Sequence, residues 1–222
     1  MANFLILQLD GVLQAWGDHS FEDYRPTVGF PTRSGLLGLL AACLGIDRHD
    51  TSALAGLDRS VWFTVRAEDR GKDAPAQKLS DFHTVLNARK MDIRKSSEFP
   101  VVSRREYLCD AVFSVAVEEV PQAPYTLDRL AVALQRPVFT PFLGRRSCPL
   151  SCPLLAARLE ADNAAEALRA WSPRAGTLYS DSPALDSDRE LRLRDVPRYG
   201  RVRQFGTRRV FISTEGAGHV SE

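Results

Sequence analysis

The sequence predicts an α+β fold, and three observations carry that expectation. Residues 3–9 hold the apolar run Phe4-Leu5-Ile6-Leu7 with few breakers, the content of a buried strand. Leu36 to Leu44 is apolar nearly all round, as a short helix inside a core is. Tyr107 to Val117 reads as a long strand, with Cys109, Ala111, Phe113, Val115 and Val117 on one face.

Gly11 marks the end of the first strand, and a loop follows to Pro31. Thr32 or Ser34 caps the helix that follows, and Gly45 stops it. Asp50-Thr51-Ser52 opens a second short helix to Gly56, and Val61 to Val65 is a strand by content. Residues 67–79 are polar and read as a loop, and Phe82 to Leu86 begins a strand. Residues 87–104 are polar and basic, an exposed arm rather than core. After the Tyr107 strand, Thr126 caps a helix through Leu134 that turns Leu127, Leu130, Ala131 and Leu134 inward, and Pro137 bounds it. The order strand, helix, strand, excursion, strand, helix matches a ferredoxin-like unit with a long β-hairpin insertion. Residues 137–153 form an ordered loop, Ala161 to Trp171 a helix, and 172–200 are loop-rich. Val202 to Ile212 closes the chain as a strand or hairpin. The expected division is a domain over 1–150, with its insertion at about 81–110, and a C-terminal extension over 151–222.

The 222 residues suit one domain with large insertions. No apolar run approaches the ~18 residues that span a bilayer. The start, Met1-Ala2-Asn3-Phe4, lacks a basic region before its apolar run, and Cys43, Cys109, Cys148 and Cys152 do not form a secreted disulfide framework. The expectation is a cytoplasmic protein with no membrane contact. Net charge is +1, but the choice of cation is uneven: Lys72, Lys78, Lys90 and Lys95 stand against 25 arginines. Arginine offers a planar fork for phosphate and a flat face for bases. A GC-rich coding sequence explains the count equally well, so position has to decide.

The arginines cluster in three places, and a fourth stretch sets a single arginine at a helix start. In Thr140-Pro141-Phe142-Leu143-Gly144-Arg145-Arg146-Ser147-Cys148, Gly144 lets the backbone approach a ligand, two arginines and Ser147 surround exposed N–H groups, and Phe142 is placed to stack on a base. A phosphate cradle and a tight solvated turn both fit. Phe30-Pro31-Thr32-Arg33-Ser34-Gly35 opens a helix, where free N–H groups favour an anion and Arg33 adds a charge; simple capping is the plainer reading. Between His83 and Cys109, Arg89, Lys90, Arg94, Lys95, Arg104 and Arg105 outnumber Asp92, Glu98 and Glu106, with Phe99 and Tyr107 interleaved, a pattern that suits a single nucleic-acid strand or a solvated hairpin. From Arg189 to Arg209 eight arginines face only Glu190 and Asp195, which suits a phosphate backbone or acidic partner subunits. The chain has no Walker loop, dinucleotide fingerprint, zinc-protease motif or Cys-x-x-Cys, so no metal and no cofactor is expected. Of His19, His49, His83 and His219, only His83 sits beside the basic excursion.

Gln14-Ala15-Trp16-Gly17, Phe30 to Leu40, Arg105-Glu106-Tyr107-Leu108-Cys109-Asp110-Ala111 and Leu143 to Leu150 together resemble the CasD subunits of type I-E CRISPR Cascade complexes, of the RAMP superfamily. The match is strong over residues 1–60 and 81–153 and weak over the last third. The resemblance implies an RRM-like domain with a protruding thumb at 87–104. It implies binding of the 5′ handle of the CRISPR RNA, packing against the CasC backbone subunit and the large CasA subunit, and contact with target DNA only through the complex. Read with the clusters above, it makes Gln14, Trp16, Arg25, Thr32, Arg33, Ser34, His83, Arg89, Arg105, Tyr107, Phe142, Gly144, Arg145, Arg146, Ser147 and Cys148 the candidate RNA-binding residues. In type I-E systems a separate subunit, CasE, cuts the precursor RNA, whereas the related type I-C subunit cuts with a Lys-His pair and a Tyr. No Lys-His pair exists here, and Phe142 stands where relatives carry Tyr. The alternative function is a metal-independent endoribonuclease acting on repeat RNA.

Overall fold

A computed structural model of the chain describes residues 1–18, 20, 22–69, 77–85, 100–183, 185–200 and 204–214. The order is β1 (Ala2–Asp10), four two-residue strands β2 (Leu13–Gln14), β3 (Trp16–Gly17), β4 (Tyr24–Arg25) and β5 (Thr27–Val28), then α1 (Arg33–Leu44), α2 (Thr51–Asp58) and β6 (Val61–Glu68). There follow β7 (Gln77–Val85), β8 (Val101–Cys109), β9 (Val112–Glu119), α3 (Leu127–Gln135), β10 (Leu155–Ala161), α4 (Ala164–Trp171), β11 (Gly176–Ser180), β12 (Arg189–Arg198) and β13 (Gln204–Thr214).

Seven strands build one antiparallel sheet in the order β10-β1-β9-β6-β11-β13-β12. β1 is apolar on both faces because helices cover both. Leu5, Leu7 and Leu9, with Phe63, Val65, Phe113, Val115 and Val117, face the core that includes α1 and α3. Phe4, Ile6, Ala116 and Leu178 face the smaller core under α4. α1 runs from a Thr32 N-cap to a Gly45 C-cap in the left-handed region, and Leu36, Leu37, Leu39 and Leu40 are buried on several sides. β8 pairs antiparallel with β7 and with β2, and parallel with β4, so a second, smaller sheet carries the segment after β1 beside the hairpin strands.

Several expected elements differ. Strand β7 starts at Gln77, inside what reads as a polar loop, because β8 supplies its hydrogen bonds through to Val85. The expected arm at 87–104 lies mostly outside the described residues, and Arg89 with it. Tyr107 to Val117 is not one strand: Asp110, at φ +50°, breaks it, and β8 and β9 enter different sheets. The helix expected from Ala161 starts at Ala164 under an Asn163 cap, and an unforeseen strand, β10, precedes it along the edge of β1. The loop-rich stretch 172–200 holds β11 and β12. The sheet runs on past residue 150, since β10 and β11 pair with β1 and β6. Among the described residues no helix is long and apolar enough to cross a membrane.

Candidate nucleic-acid interface

The segment after β1 is locked from below. Gln14 is fully buried and uses its whole amide: Nε2 donates to the Leu9 and Ala111 carbonyls at 3.1 and 2.6 Å, and Oε1 accepts the Trp16 indole N–H at 3.1 Å. Trp16 is buried against the first turn of α1, where a Cβ on Gly35 would stand 2.8 Å from the indole ring. The 142–148 loop closes over this segment. Leu143 N–H donates to Cys148 O at 2.8 Å, Cys148 N–H to Arg145 O at 2.8 Å, and Ala15 N–H to Leu143 O at 3.1 Å. Gly144 sits at φ +84°, and a Cβ there would fall 1.7 Å from Ala15 O, so only glycine lets the two backbones meet.

Arg145 then ties the loop to β8 and β4. Its terminal nitrogens donate to Glu106 O at 2.8 Å and Arg25 O at 3.0 Å, and its guanidinium lies 4.6 Å from the Tyr107 ring centre. Glu106 in turn holds the strands opposite. It accepts the Tyr24 hydroxyl, the Thr27 N–H at 3.1 Å and Lys78 Nζ at 3.3 Å. The Tyr24 hydrogen bond, helped by Thr27 and Lys78 against the opposing effect of burial, holds the Glu106 carboxyl below its ordinary pKa.

The start of α1 departs from expectation. Thr32 is buried, and its hydroxyl accepts from Gly35 N, so it caps. Arg33 does not offer its charge to an outside anion. Its guanidinium points inward to Asp58, at 2.8 Å, and to Asp181, and it also donates to the Asp58 and Val61 carbonyls. Burial alone pulls the Arg33 pKa down, but the two carboxylates outweigh it and hold the group charged. The anion at this helix end is the protein's own Asp195, which accepts Arg33 N–H at 2.7 Å and is gripped by Arg208 at 2.7 and 2.8 Å. An exposed phosphate site there is therefore not what the fold builds.

What these locks leave open is a cleft of about 640 Å³. It gathers seven of the expected residues: Trp16, Arg25, Thr32, Ser34, Phe142, Gly144 and Arg145. Arg25 is exposed, and Ser34 and Phe142 are half-buried. Arg146 and Ser147 are exposed on the same loop but do not line the cleft, and Cys148 is buried, so its thiol faces the core, where burial pushes its pKa up. Tyr107 is buried under Arg145. His83 and Arg105 stand apart on β7 and β8: His83 is exposed, and Arg105 Nε donates to Ser103 Oγ at 3.1 Å. Beside them Arg104 lies over the Phe82 ring at 5.0 Å. The part of the lining that comes from the C-terminal hairpin was missed at the level of single residues. Arg194, Asp195, Gln204 and Phe205 supply it from β12 and β13. The arginine density of 189–209 was the signal; the pairing that selects Arg194 from the eight was not visible in one dimension.

The chain matches the family described as CRISPR-associated protein (Cas_Cas5) over residues 4–211. It is 43% identical over 219 residues to the CRISPR system Cascade subunit CasD of Escherichia coli strain K12, covering 97% of this chain and 98% of that one. It resembles a chain of a solved CRISPR RNA-guided surveillance complex with a TM-score of 0.69 and 30% identity, over 95% of this chain and 89% of that one. It also resembles the crystal structure of a Cas protein with a TM-score of 0.60 and 28% identity, over 96% and 93% of the two chains.

Proposed function

The chain belongs to the CRISPR-associated protein (Cas_Cas5) family, and from that premise we propose that it is an RNA-binding subunit of a type I-E Cascade surveillance complex. In this reading it anchors the 5′ handle of the CRISPR RNA, caps one end of the backbone filament, and binds rather than cuts. Its neighbours are the CasC backbone subunit and the large CasA subunit, and target DNA reaches it only through the complex. The observation that carries the reading is the convergence of the segments that resemble CasD. Residues 15–17, the first turn of α1 and the 142–148 loop lie far apart in sequence and meet at one cleft, and Arg145 ties the loop to β8 behind it. Exposed and half-buried Arg25, Ser34 and Phe142 give that cleft a cation, a hydroxyl and an aromatic ring, the chemistry that holds single-stranded RNA.

The framework is read as ferredoxin-like. Within the large sheet β10, β1, β9 and β6 lie adjacent and antiparallel, and they are joined in sequence as β1-α1-β6-β9-α3-β10, the order of a split βαβ pair. The β7–β8 pair leaves this framework between β6 and β9 and is read as the base of the thumb. The nuclease alternative draws no support from the described residues: none of the cleft-lining side chains among them is a histidine, and His83 is exposed on β7. The test is to incubate the purified chain with labelled handle-containing repeat RNA in EDTA. Retention of intact RNA is expected. Cleavage at one defined position by the isolated chain, abolished by His83→Ala, would establish the nuclease instead.

A further inference from the structure

We propose that Arg194 is a phosphate-binding residue of the cleft, carried there by a β-bulge in the C-terminal hairpin, an element remote in sequence from the Gly144 loop. The proposal rests on the reading of the cleft as an RNA site and adds to it a wall from the part of the chain where resemblance is weakest.

The bulge is the first observation. Leu193 pairs with Arg208 and Val196 with Gly206, so Arg194 and Asp195 together stand opposite the single residue Thr207. In a regular strand two consecutive side chains point to opposite faces. At the bulge that alternation is interrupted, and Arg194 and Asp195 both belong to the lining of the cleft. The two then divide the work. Asp195 is buried and spent on Arg33 N–H and the Arg208 fork, so its charge is matched inside the protein. Arg194 is exposed, and no ion pair to a described residue matches its charge.

The second observation is how Arg194 is held. Its Nε donates to Phe205 O at 3.1 Å, which fixes the plane of the guanidinium. Its two terminal nitrogens make no hydrogen bond or ion pair to a described residue. Arg145, also in the lining of the cleft, is the reverse case, with both terminal nitrogens committed to backbone carbonyls. A fork anchored at Nε, with both N–H₂ groups uncommitted among the described residues, is prepared for two parallel bonds to a phosphate. Other arginines of the cluster are occupied or elsewhere: Arg208 grips Asp195, Arg209 faces Glu190 at 3.7 Å, and Arg192 is exposed on β12 but lines no part of the cleft.

The experiment measures binding of the full chain to labelled RNA carrying the repeat-derived handle, across a salt series, with melting temperature recorded for every variant. Arg194→Ala should weaken binding about tenfold and flatten the slope of log affinity against log salt by about 0.7, the value for one phosphate on a single strand. Arg194→Lys should keep the slope and recover only part of the affinity, because a point charge replaces the fork. Arg192→Ala should stay within about twofold of the parent. If the parent binds and Arg194→Ala matches it in affinity and slope, Arg194 is not a contact, while the cleft reading stands. If Arg192→Ala loses as much as Arg194→Ala, the hairpin acts as diffuse charge and the aimed contact is wrong. If the parent binds neither handle RNA nor an unrelated single strand, both readings fall together.

Discussion

The backbone N–H of Arg33 and the carboxylate of Asp195, 162 residues apart in sequence, meet at 2.7 Å at the start of α1. This bond satisfies a donor that every helix leaves free in its first turn and places a negative charge at the positive end of the helix dipole. It also pins the C-terminal hairpin to the core beside the cleft. Asp195→Ala removes the carboxylate and strands Arg208, whose side chain is largely buried. Breaking a buried pair by deleting one partner costs about 3–5 kcal/mol. Chemical denaturation should show a loss of that size, with Asp195→Asn losing less because one oxygen still accepts from Arg33 N–H. A loss below about 1 kcal/mol for Asp195→Ala would mean that the hairpin is not pinned there.

Gly144→Ala should be the most damaging single-methyl addition in the lining of the cleft. The new Cβ would overlap Ala15 O, and the residue would also be held at φ +84°. Either the loop or the 14–17 segment must move, and the wall of the cleft moves with it. Reduced thermal stability together with weakened handle binding is expected. A variant that melts and binds like the parent would show that the two backbones do not touch in solution.

Acid should loosen the Tyr24–Thr27 segment before the core unfolds. Glu106 has its pKa lowered, first by the Tyr24 hydroxyl, then by Thr27 N–H and Lys78. A carboxyl with a depressed folded pKa contributes stability that is complete above its unfolded value and is lost as pH falls through the folded one. The window therefore opens at the ordinary glutamate pKa and extends downward. Melting temperature followed from pH 6 toward pH 3, roughly the range in which carboxylates titrate, should fall less steeply in Glu106→Gln than in the parent. Equal slopes would remove Glu106 from the acid response.

These residues also mark where sequence reading reaches and where it stops. The turn at Gly144 was legible because a glycine closing a loop is a local pattern, whereas the ties of Arg145 to the Glu106 and Arg25 carbonyls were not. The N-cap at Thr32 was legible for the same reason. Arg33 was misread, since nothing near it in sequence announces Asp58, Asp181 or Asp195. Strand β10 was missed because Leu-Ala-Ala-Arg-Leu-Glu-Ala has helical composition, and pairing with the edge of β1 overrides that preference. The break at Asp110 hid inside an alternating pattern that continues on both sides of it. In each failure the deciding partner lies on another strand or helix, and one-dimensional spacing carries no record of it.

Arg145 and Arg146 are adjacent yet should fail in different assays. Arg145 is committed to Glu106 O, Arg25 O and the Tyr107 ring, so its removal strips two charged hydrogen bonds and a ring contact from the joint between the loop, β4 and β8. Hydrogen bonds to charged groups are worth about 1.5–3 kcal/mol each where they are well buried, and this joint is partly exposed, so a stability loss of about 1–3 kcal/mol is expected for Arg145→Ala. Arg146 is exposed, and the structure assigns its guanidinium no internal hydrogen bond or ion pair among the described residues. Arg146→Ala should leave the melting temperature within about a degree, as exposed substitutions away from special features do. If Arg146 meets the handle, the same variant should weaken RNA binding about tenfold or more and flatten the salt dependence. Lysine at position 146 should restore the salt slope before it restores affinity. Calorimetry and RNA titration on Arg145→Ala, Arg146→Ala and Arg146→Lys separate the two roles. Should Arg146→Ala bind like the parent with an unchanged salt slope, the exposed half of the loop is solvated surface and Arg146 is no handle contact.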